Sequence, residues 1–556
     1  MNADALIRMY KREKSSSERS NFEDLYQSAA EFCNPSADNI QDRKSKGQRD
    51  DNQRVTDVGI KARRMFTAGM MSHLFPQGQN WLRIVTQDRE LMKLDNVTRA
   101  LTSVTKKFVR CIEDSNFYEE MGQCIDHCGY IGTTALYCEP SKKRMLNFRS
   151  HYINQFYFCE NYLGEVDTVI REFKLTARQA MQQFGENCTE EIQKIAEDPN
   201  QNTREYTFVH IVMPREGATP DTDVKQNKKV ASYYIDLKAK QIILESGFDE
   251  MPYAVGRFYK TNYEKYGRSP ALEVFTTFPL INRMEVARIR SAERVSNPPW
   301  LAPNDGSVRR ISNDQGSIIY YNASNPLSKP EQLLPADQVM VNDQMIEKKE
   351  MEVMEAFYIP LFNPLHNKRN MTAFESQERL NLSLQFLTPA VNRINKYFVV
   401  PILERAFSIL FRENMFEELK IQELGGQSLE FDLVGKASIA SRQIELFGTM
   451  TAMQQIMQIA QFKPDILDNI NADETARFIQ EVNMVPTALQ ASLDQIEEIR
   501  SQRAEAAQQE QANRSTQILG DVYSKTAKTP EEGSGAAIID QVLGGAENEL
   551  PMEDME

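Results

Sequence analysis

The 556-residue sequence has no apolar run of membrane-spanning length. Its best stretch, residues 398–411, carries Pro401, Glu404 and Arg405 inside it, whereas a spanning helix needs about 20 apolar residues in a row. No membrane partner is therefore expected. Residues 1–13 are polar and charged, so no secretory signal is expected there. Histidine is scarce, five in all, which leaves few candidates for proton-transfer catalysis. Gly-x-Ser-x-Gly and His-Glu-x-x-His are both missing. Gly435 and Lys436 look like the end of a phosphate-binding loop, but Glu430 stands where its first glycine belongs and Ala437 where its hydroxyl must sit. A serine hydrolase, a zinc protease and an ATP-driven motor are thereby disfavoured, and no enzymatic activity and no cofactor are expected. Positive charge is in deficit too: 65 Lys and Arg against 79 Asp and Glu give a net charge of -14. Such a surface repels phosphate on average. It argues against a protein that grips nucleic acid tightly, and leaves room for one that lets DNA slide past.

What is present fits an ordinary globular chain, with 41% hydrophobic and 26% charged residues, enough for about three or four domains. The seven cysteines fall between Cys33 and Cys188 and read as reduced, mostly buried thiols. The first 135 residues read as mainly helical, with segments over 5–32, 56–74, 94–114 and 118–130. In the second of these Val58, Ala62, Phe66, Met70 and Leu74 recur every four residues, one face of a helix. From 134 to 263 short β-branched and aromatic runs take over (135–138, 154–159, 166–173, 206–213 and 230–235), interrupted by one helix over 176–184. This block predicts an antiparallel sheet with a helix packed on it. Ser269 as N-cap and Pro270 at the first helical position predict a helix over 270–296, kinked at Pro279. Residues 298–336 are turn-rich with short strands such as 317–321. A helix over 343–359 is expected to stop at Pro360. Thr372 and Glu375 form a capping box that opens a long helix to about 414, bent but not ended by Pro389 and Pro401. A short strand over 429–434 precedes Gln- and Met-rich helices over 438–522. The last residues, 524–556, are acidic and predict disorder. The fold class is α+β, mainly helical.

Few residues carry chemistry. Cys124, His127 and Cys128 share a helical face and could ligate zinc with Cys111 or Cys138; buried thiols of a packed helix are the favoured reading, and no metal site is expected. Tyr152, Phe156, Tyr157 and Phe158 could stack on bases, but they lack interleaved cations and fit a core or interface strand better. Arg283, Arg288, Arg290 and Arg294 could face phosphates, although Glu285 and Glu293 dilute them. Lys368 and Arg369 sit in a loop between helices, where exposure is expected. Trp300, after Pro298 and Pro299, is a candidate interface anchor.

The order of several segments then resembles the head-to-tail connector (portal) proteins of short-tailed bacteriophages. These are Val55-Thr-Asp-Val-Gly-Ile-Lys-Ala running on to Leu74-Phe-Pro-Gln-Gly-Gln-Asn-Trp-Leu; Gly164-Glu-Val-Asp-Thr-Val-Ile-Arg-Glu-Phe-Lys-Leu-Thr-Ala-Arg-Gln; Tyr266-Gly-Arg-Ser-Pro-Ala, then Asn297-Pro-Pro-Trp-Leu-Ala-Pro-Asn-Asp-Gly; and Met371-Thr-Ala followed by Leu387-Thr-Pro and Pro401-Ile-Leu-Glu-Arg-Ala-Phe. Together they span about residues 55–410; beyond 440 only the helical, Gln-rich character matches.

The resemblance implies a ring, usually of twelve copies, at one capsid vertex, through which double-stranded DNA is packaged and ejected. It implies an α+β wing (1–269 and 372–437), two stem helices (270–296 and 343–360), a clip (297–342), a tunnel loop (361–371), a helical crown (438–522) and an acidic tail (523–556). Expected partners are the terminase large subunit, a tail adaptor, and the major capsid and scaffolding proteins. Expected location is the virion, with assembly in the host bacterial cytoplasm. DNA-channel candidates are His366, Lys368, Arg369, Arg283 and Arg290; clip candidates are Trp300, Arg309 and Arg310. Two other readings stand beside this one. A helical scaffold or internal virion protein leaves the 134–263 sheet block without a purpose. A metal-dependent nuclease using carboxylates such as Asp51 and Glu90 has only the abundance of acids behind it.

Overall fold

A computed structural model describes residues 2–37, 39–41, 54–78, 81–88, 91–217, 224–296, 300–301, 331–332, 338–362, 388–420, 428–433, 436–460, 462, 463, 466, 470–482 and 493–525. Two helices open the chain, α1 (Ala3–Lys14) and α2 (Ser17–Cys33). The single segment expected over 5–32 is thus broken, because Ser16 leaves the helix and its side chain caps the Arg19 amide. Helix α3 (Val58–Leu74) buries all five positions of its four-residue repeat. It packs on α5 (Phe117–Tyr130), with α4 (Asp95–Glu113) beside it. Strand β1 (Leu82–Thr86) follows α3, and Trp81, fully buried, stacks on Phe117.

The sheet block consists of two antiparallel sheets rather than one. Strands β2 (Thr133–Ser141), β3 (Met145–His151) and β9 (Tyr253–Arg257) form the first, in order β3-β2-β9. The second is a five-stranded meander of β4 (Phe156–Glu160), β5 (Val166–Thr176), β6 (Glu205–Pro214), β7 (Val230–Asp236) and β8 (Gln241–Phe248). Side chains alternate across a strand, and β4 shows it. Phe156 and Phe158 enter the main core, while Tyr157 joins Ile170, Val209, Ile211 and Tyr233 under Leu6, Ile7 and Tyr10 of α1. The aromatic run is core, not a stacking surface. Two helices, not one, interrupt the strands: α6 (Ala177–Phe184), closed by a Thr176–Gln179 capping box, and α7 (Glu190–Glu197).

Arg19 joins the N-terminal helices to this block. Its fully buried guanidinium donates to the Ile153 carbonyl at 2.6 Å, pairs with Glu23 at 2.6 Å, and lies over the Tyr157 and Tyr266 rings. The Tyr266–Ala271 stretch is tight. Tyr26 donates to the Gly267 carbonyl at 2.6 Å, and Ser269 Oγ donates to the Tyr130 carbonyl at 2.9 Å. Gly132, at φ +91, passes so close that a Cβ there would stand 2.3 Å from the Arg268 carbonyl carbon.

Two proline readings need correction. Ser269 and Pro270 do open a helix, α8, but it spans only Pro270–Glu273; the chain restarts as α9 (Thr277–Ser296). Pro279 therefore lies in the first turn of α9 rather than at a mid-helix kink. Its ring excludes a helical carbonyl four residues back, so the break falls ahead of it. Helix α10 (Gln338–Ala356) ends before Tyr358, whose left-handed backbone (φ +59) turns the chain. Pro360 is inside the next turn, α11 (Ile359–Phe362), and is not what stops the helix. Pro401 behaves as expected. Residues 388–394 are helical, a π-helical turn spans Asn395–Val399, and α12 (Val400–Arg412) continues. The widened turn accommodates the amide that Pro401 lacks. The helix ends at Arg412, with Asn414 left-handed (φ +56) and the Met415 amide on the Leu410 carbonyl, a Schellman closure. Strand β12 (Leu429–Leu433) then returns to pair antiparallel with β1.

Helices α13 (Lys436–Ala460) and α14 (Ala472–Val482) belong to the same compact unit, residues 1–482. The second unit, 483–556, is described through one long helix, α15 (Leu493–Lys525). The capping box at Thr372 and Glu375, the strand expected over 317–321 and the acidic tail beyond 525 lie outside the described residues. No described helix is long and apolar enough to cross a membrane.

Candidate functional site

The antiparallel pair α9 and α10 carries the only candidate cations whose side chains are described. The 20 residues of α9 span about 30 Å and the 19 of α10 about 28 Å at 1.5 Å per residue. They are tied by Arg288, which pairs with Glu285 at 2.8 Å on its own helix and with Asp343 at 3.6 Å on α10. Glu285 is nearly buried, and Glu350 of α10 has its carboxyl pushed up by burial and then by the Glu285 charge. The buried side of the pair is thus acidic and internally compensated. Arg283 and Arg290 are exposed. Seven residues apart, they share one stripe of α9, two turns or about 10 Å apart. Neither has an ion-pair partner among the described residues. The structure therefore separates the sequence candidates by pairing and not by burial: Arg288, 44% exposed, is engaged with Glu285 and Asp343, while Arg283 and Arg290 have no ion-pair partner among the described residues. The Arg294 side chain is not among those described.

At the far end of the pair, β10 (Trp300–Leu301) and β11 (Glu331–Gln332) match as an antiparallel bridge, Trp300 opposite Gln332. Arg309, Arg310, His366, Lys368 and Arg369 lie outside the described residues, as do Asp51 and Glu90.

One contact was not legible in the sequence. The Phe362 ring, at the root of the 361–371 segment, rests directly on Gly69 of α3; a Cβ at position 69 would stand 2.4 Å from it. Phe66 and His73 flank the ring at 6.4 and 5.4 Å. A glycine inside an otherwise well-formed helix is the only signal that could have pointed there.

The thiol and imidazole cluster is sealed. Cys124 and Cys128 are fully buried, and Cys124 Sγ points at the Ala135 carbonyl at 3.8 Å. Burial pushes the Cys124 thiol up to about 12 and the Cys128 thiol higher still. Burial, with the Arg63 cation nearby, pushes His127 down to about 4. These are neutral packing groups. Among the described residues, no group of His, Cys, Asp and Glu is arranged to hold a metal ion.

Set against known proteins, residues 5–490 match the family model described as bacteriophage head to tail connecting protein. The portal protein of Salmonella phage epsilon15 is 26% identical over 527 residues, covering 93% of each chain. The probable portal protein of Bordetella phage BPP-1 is 25% identical over 498 residues, covering 88% of each.

Proposed function

Because the chain belongs to the bacteriophage head to tail connecting protein family, and acts as a portal protein, a structural and non-catalytic virion component at the capsid vertex, we propose how its parts serve that role. Twelve copies form a ring around double-stranded DNA. Residues 1–269 and 372–437 are the wing, 270–296 and 343–360 the two stem helices, 297–342 the clip, 361–371 the tunnel loop, 438–522 the helical crown and 523–556 an acidic tail. The clip docks the terminase large subunit during packaging and the tail adaptor afterwards, with Trp300, Arg309 and Arg310 at that surface. The wing and crown meet the capsid and scaffolding proteins during assembly in the host cytoplasm.

The observation that carries this reading is the family match over nearly the whole chain. The helix pair supports the layout: two helices of nearly equal length, tied by Arg288, flank the paired strands β10 and β11 in the chain. Charge supports the conduit. At net -14, a ring retains little DNA by itself, and each phosphate contact adds to the barrier against sliding. A few cations, Arg283 and Arg290 on the stem and His366, Lys368 and Arg369 in the tunnel loop, make brief contacts instead.

Negative-stain microscopy with mass photometry on the purified chain tests the ring, with particles of twelve subunits around a central hole expected. Absence of such rings from the purified chain at every concentration tested would overturn it. Charge reversal of Lys368 and Arg369 together is expected to lower genome packaging or retention; unchanged packaging removes them from the channel.

A further inference from the structure

Two rigid loops at one end of the five-stranded sheet hold large apolar side chains almost wholly in solvent. Tyr162 is 94% exposed and Leu163 64% in the β4–β5 turn; Tyr263 is 96% exposed in the loop after β9. The turn is built, not slack. Asn161 Oδ1 accepts from the Leu163 and Glu165 amides at 2.9 Å each, and Gly164 takes φ +77. Arg257 clamps both loops at once, donating to the Gly164 and Lys265 carbonyls at 3.3 Å, and Lys260 adds a bond to the Gly164 carbonyl at 3.1 Å. Exposed aromatics on a fixed frame lose little entropy on binding and are typical interface anchors. Nothing in the stability of the subunit calls for them.

A groove of about 590 Å³ lies at the other end of the same sheet, between α1 and the strand ends. Ile7, Tyr10, Tyr206 and Leu237 give it an apolar floor, and Lys11, Lys14, Arg204, Lys238 and Lys240 surround it against two acids, Glu172 and Glu205. In a chain of net charge -14 that is a local inversion of sign. Lys14 and Lys238 are paired, with Glu172 and Glu191. Among the described residues Lys11 and Lys240 have no ion-pair partner. The register fixes the separation. Glu160 pairs with Val166 beside the knob, and Thr176 pairs with Glu205 at the groove. Ten residues of strand at about 3.3 Å each put the far edge of the groove roughly 33 Å from the knob, and Glu172 at its near edge is six residues, about 20 Å, from Val166. Both knob loops are held away from the groove by bonds within their own chain, Gly164 by Arg257 and Lys260, and Lys265 by Glu13 at 2.6 Å.

We propose that the Tyr162, Leu163 and Tyr263 knob of one subunit seats in the groove beside α1 of the next copy. Charge complementarity selects a second copy as the occupant. Glu165 and Asp167 flank the knob and face the lysine rim of the groove, whose cations also suit the faces of incoming tyrosines. A contact between two different patches of the same chain is heterologous, and it propagates around a ring when the rotation closes. This contact rests on the ring reading above.

The test places photoreactive benzoylphenylalanine at position 162 of the full-length chain and irradiates purified rings. The expected product is a covalent dimer whose crosslinked peptide contains Lys11, Tyr206 or Lys240. Rings that crosslink to other peptides of the chain, to capsid protein, or not at all overturn this contact and leave the ring intact. Absence of rings from the unsubstituted chain overturns the ring and the contact together. As a second measurement, Tyr162→Ala with Tyr263→Ala is expected to raise the assembly midpoint concentration at least tenfold without changing thermal unfolding of the subunit. Lys11→Glu with Lys240→Glu is expected to do the same, and to be partly rescued by Glu165→Lys. An unchanged midpoint in either pair overturns the proposal.

Discussion

The five-stranded sheet and the α9–α10 pair use the same kinds of residue to opposite ends. In the sheet, Tyr157, Ile170, Val209, Ile211, Tyr233 and Ile235 are all buried under α1 by their own chain. In the helix pair, Ile346 and Val353 are buried, but Leu280, Ile289, Met345 and Met351 are 43%, 41%, 51% and 65% exposed. Helix α13 continues the pattern with Phe447 and Met457 at 63% each. Scattered apolar exposure is ordinary; its concentration along these helices is not. The face of the sheet under α1 is finished by folding, whereas the helices present a second apolar side that folding leaves open. That is what a subunit built to be completed by neighbours requires.

The contrast breaks most strongly at Gly132. Its φ of +91 and the 2.3 Å approach to Arg268 leave no room for a side chain. Gly132→Ala is expected to cost at least about 3 kcal/mol, since an unfavourable backbone and a clash with main chain add together. Gly122, inside α5 with nothing within 4 Å of a Cβ, is the control. There the change to Ala is expected to be neutral or stabilising by up to about 1 kcal/mol. Thermal unfolding of the monomeric chain measures both. If Gly132→Ala unfolds no earlier than the parent, the junction between the sheet block and α8 is looser than a 2.3 Å approach allows.

Protons give a second, smaller way in, and act on buried histidines. His210 on β6 is enclosed, bonded to Tyr253 at 2.9 Å and Ser232 at 2.9 Å and stacked on Tyr234 at 4.0 Å. Burial, then the Arg171 cation, pushes it down to about 3, and burial holds His151 well below its ordinary range. Below about pH 6.5 the unfolded chain takes up protons that the folded chain refuses, so stability is full above that pH and falls as pH drops toward 3. Each histidine contributes a slope of up to about 1.4 kcal/mol per pH unit. With His127 of α5, pushed down to about 4, as a third such group, the unfolding free energy from urea titration at pH 5 is expected to lie about 3–4 kcal/mol below that at pH 6, and His210→Gln is expected to flatten the slope. An unaltered slope would place His210 in contact with solvent.

The sequence made the closed region largely readable, because its signals are local. Four-residue spacing in α3, alternation in β4 and β6, and the Ser269–Pro270 start all act within a few residues. What it hid depends on distant partners. β1 and β12 pair across more than 340 positions, from Leu82 to Leu433, and no pattern in either strand names the other. The two-sheet division was hidden for the same reason, since β3 and β9 are short and take their place from β2. Pro279 and Pro360 misled because a proline marks an interruption without saying on which side of it the helix resumes. Of the site candidates, only Arg283 and Arg290 could be separated from Arg288, and that required the partner Asp343 on α10.

The finest test of the comparison is a change that should do almost nothing to the subunit. Ile289→Ser and Met351→Ser remove apolar side chains that are 41% and 65% exposed. Surface substitutions of this kind change stability by about 0.5 kcal/mol or less. Each side chain buried against a neighbour would contribute roughly 1.5 kcal/mol to that contact, which is about tenfold in association per site. The expected outcome is an unchanged urea midpoint for the monomer together with a clear shift toward unassembled subunits in mass photometry. A loss of 2 kcal/mol in the monomer would mean that these residues pack within their own chain, and the open side of α9 and α10 would be closed after all. Unchanged assembly with unchanged stability would move the subunit contact off this helix pair, leaving the sheet-end knob and groove to carry it.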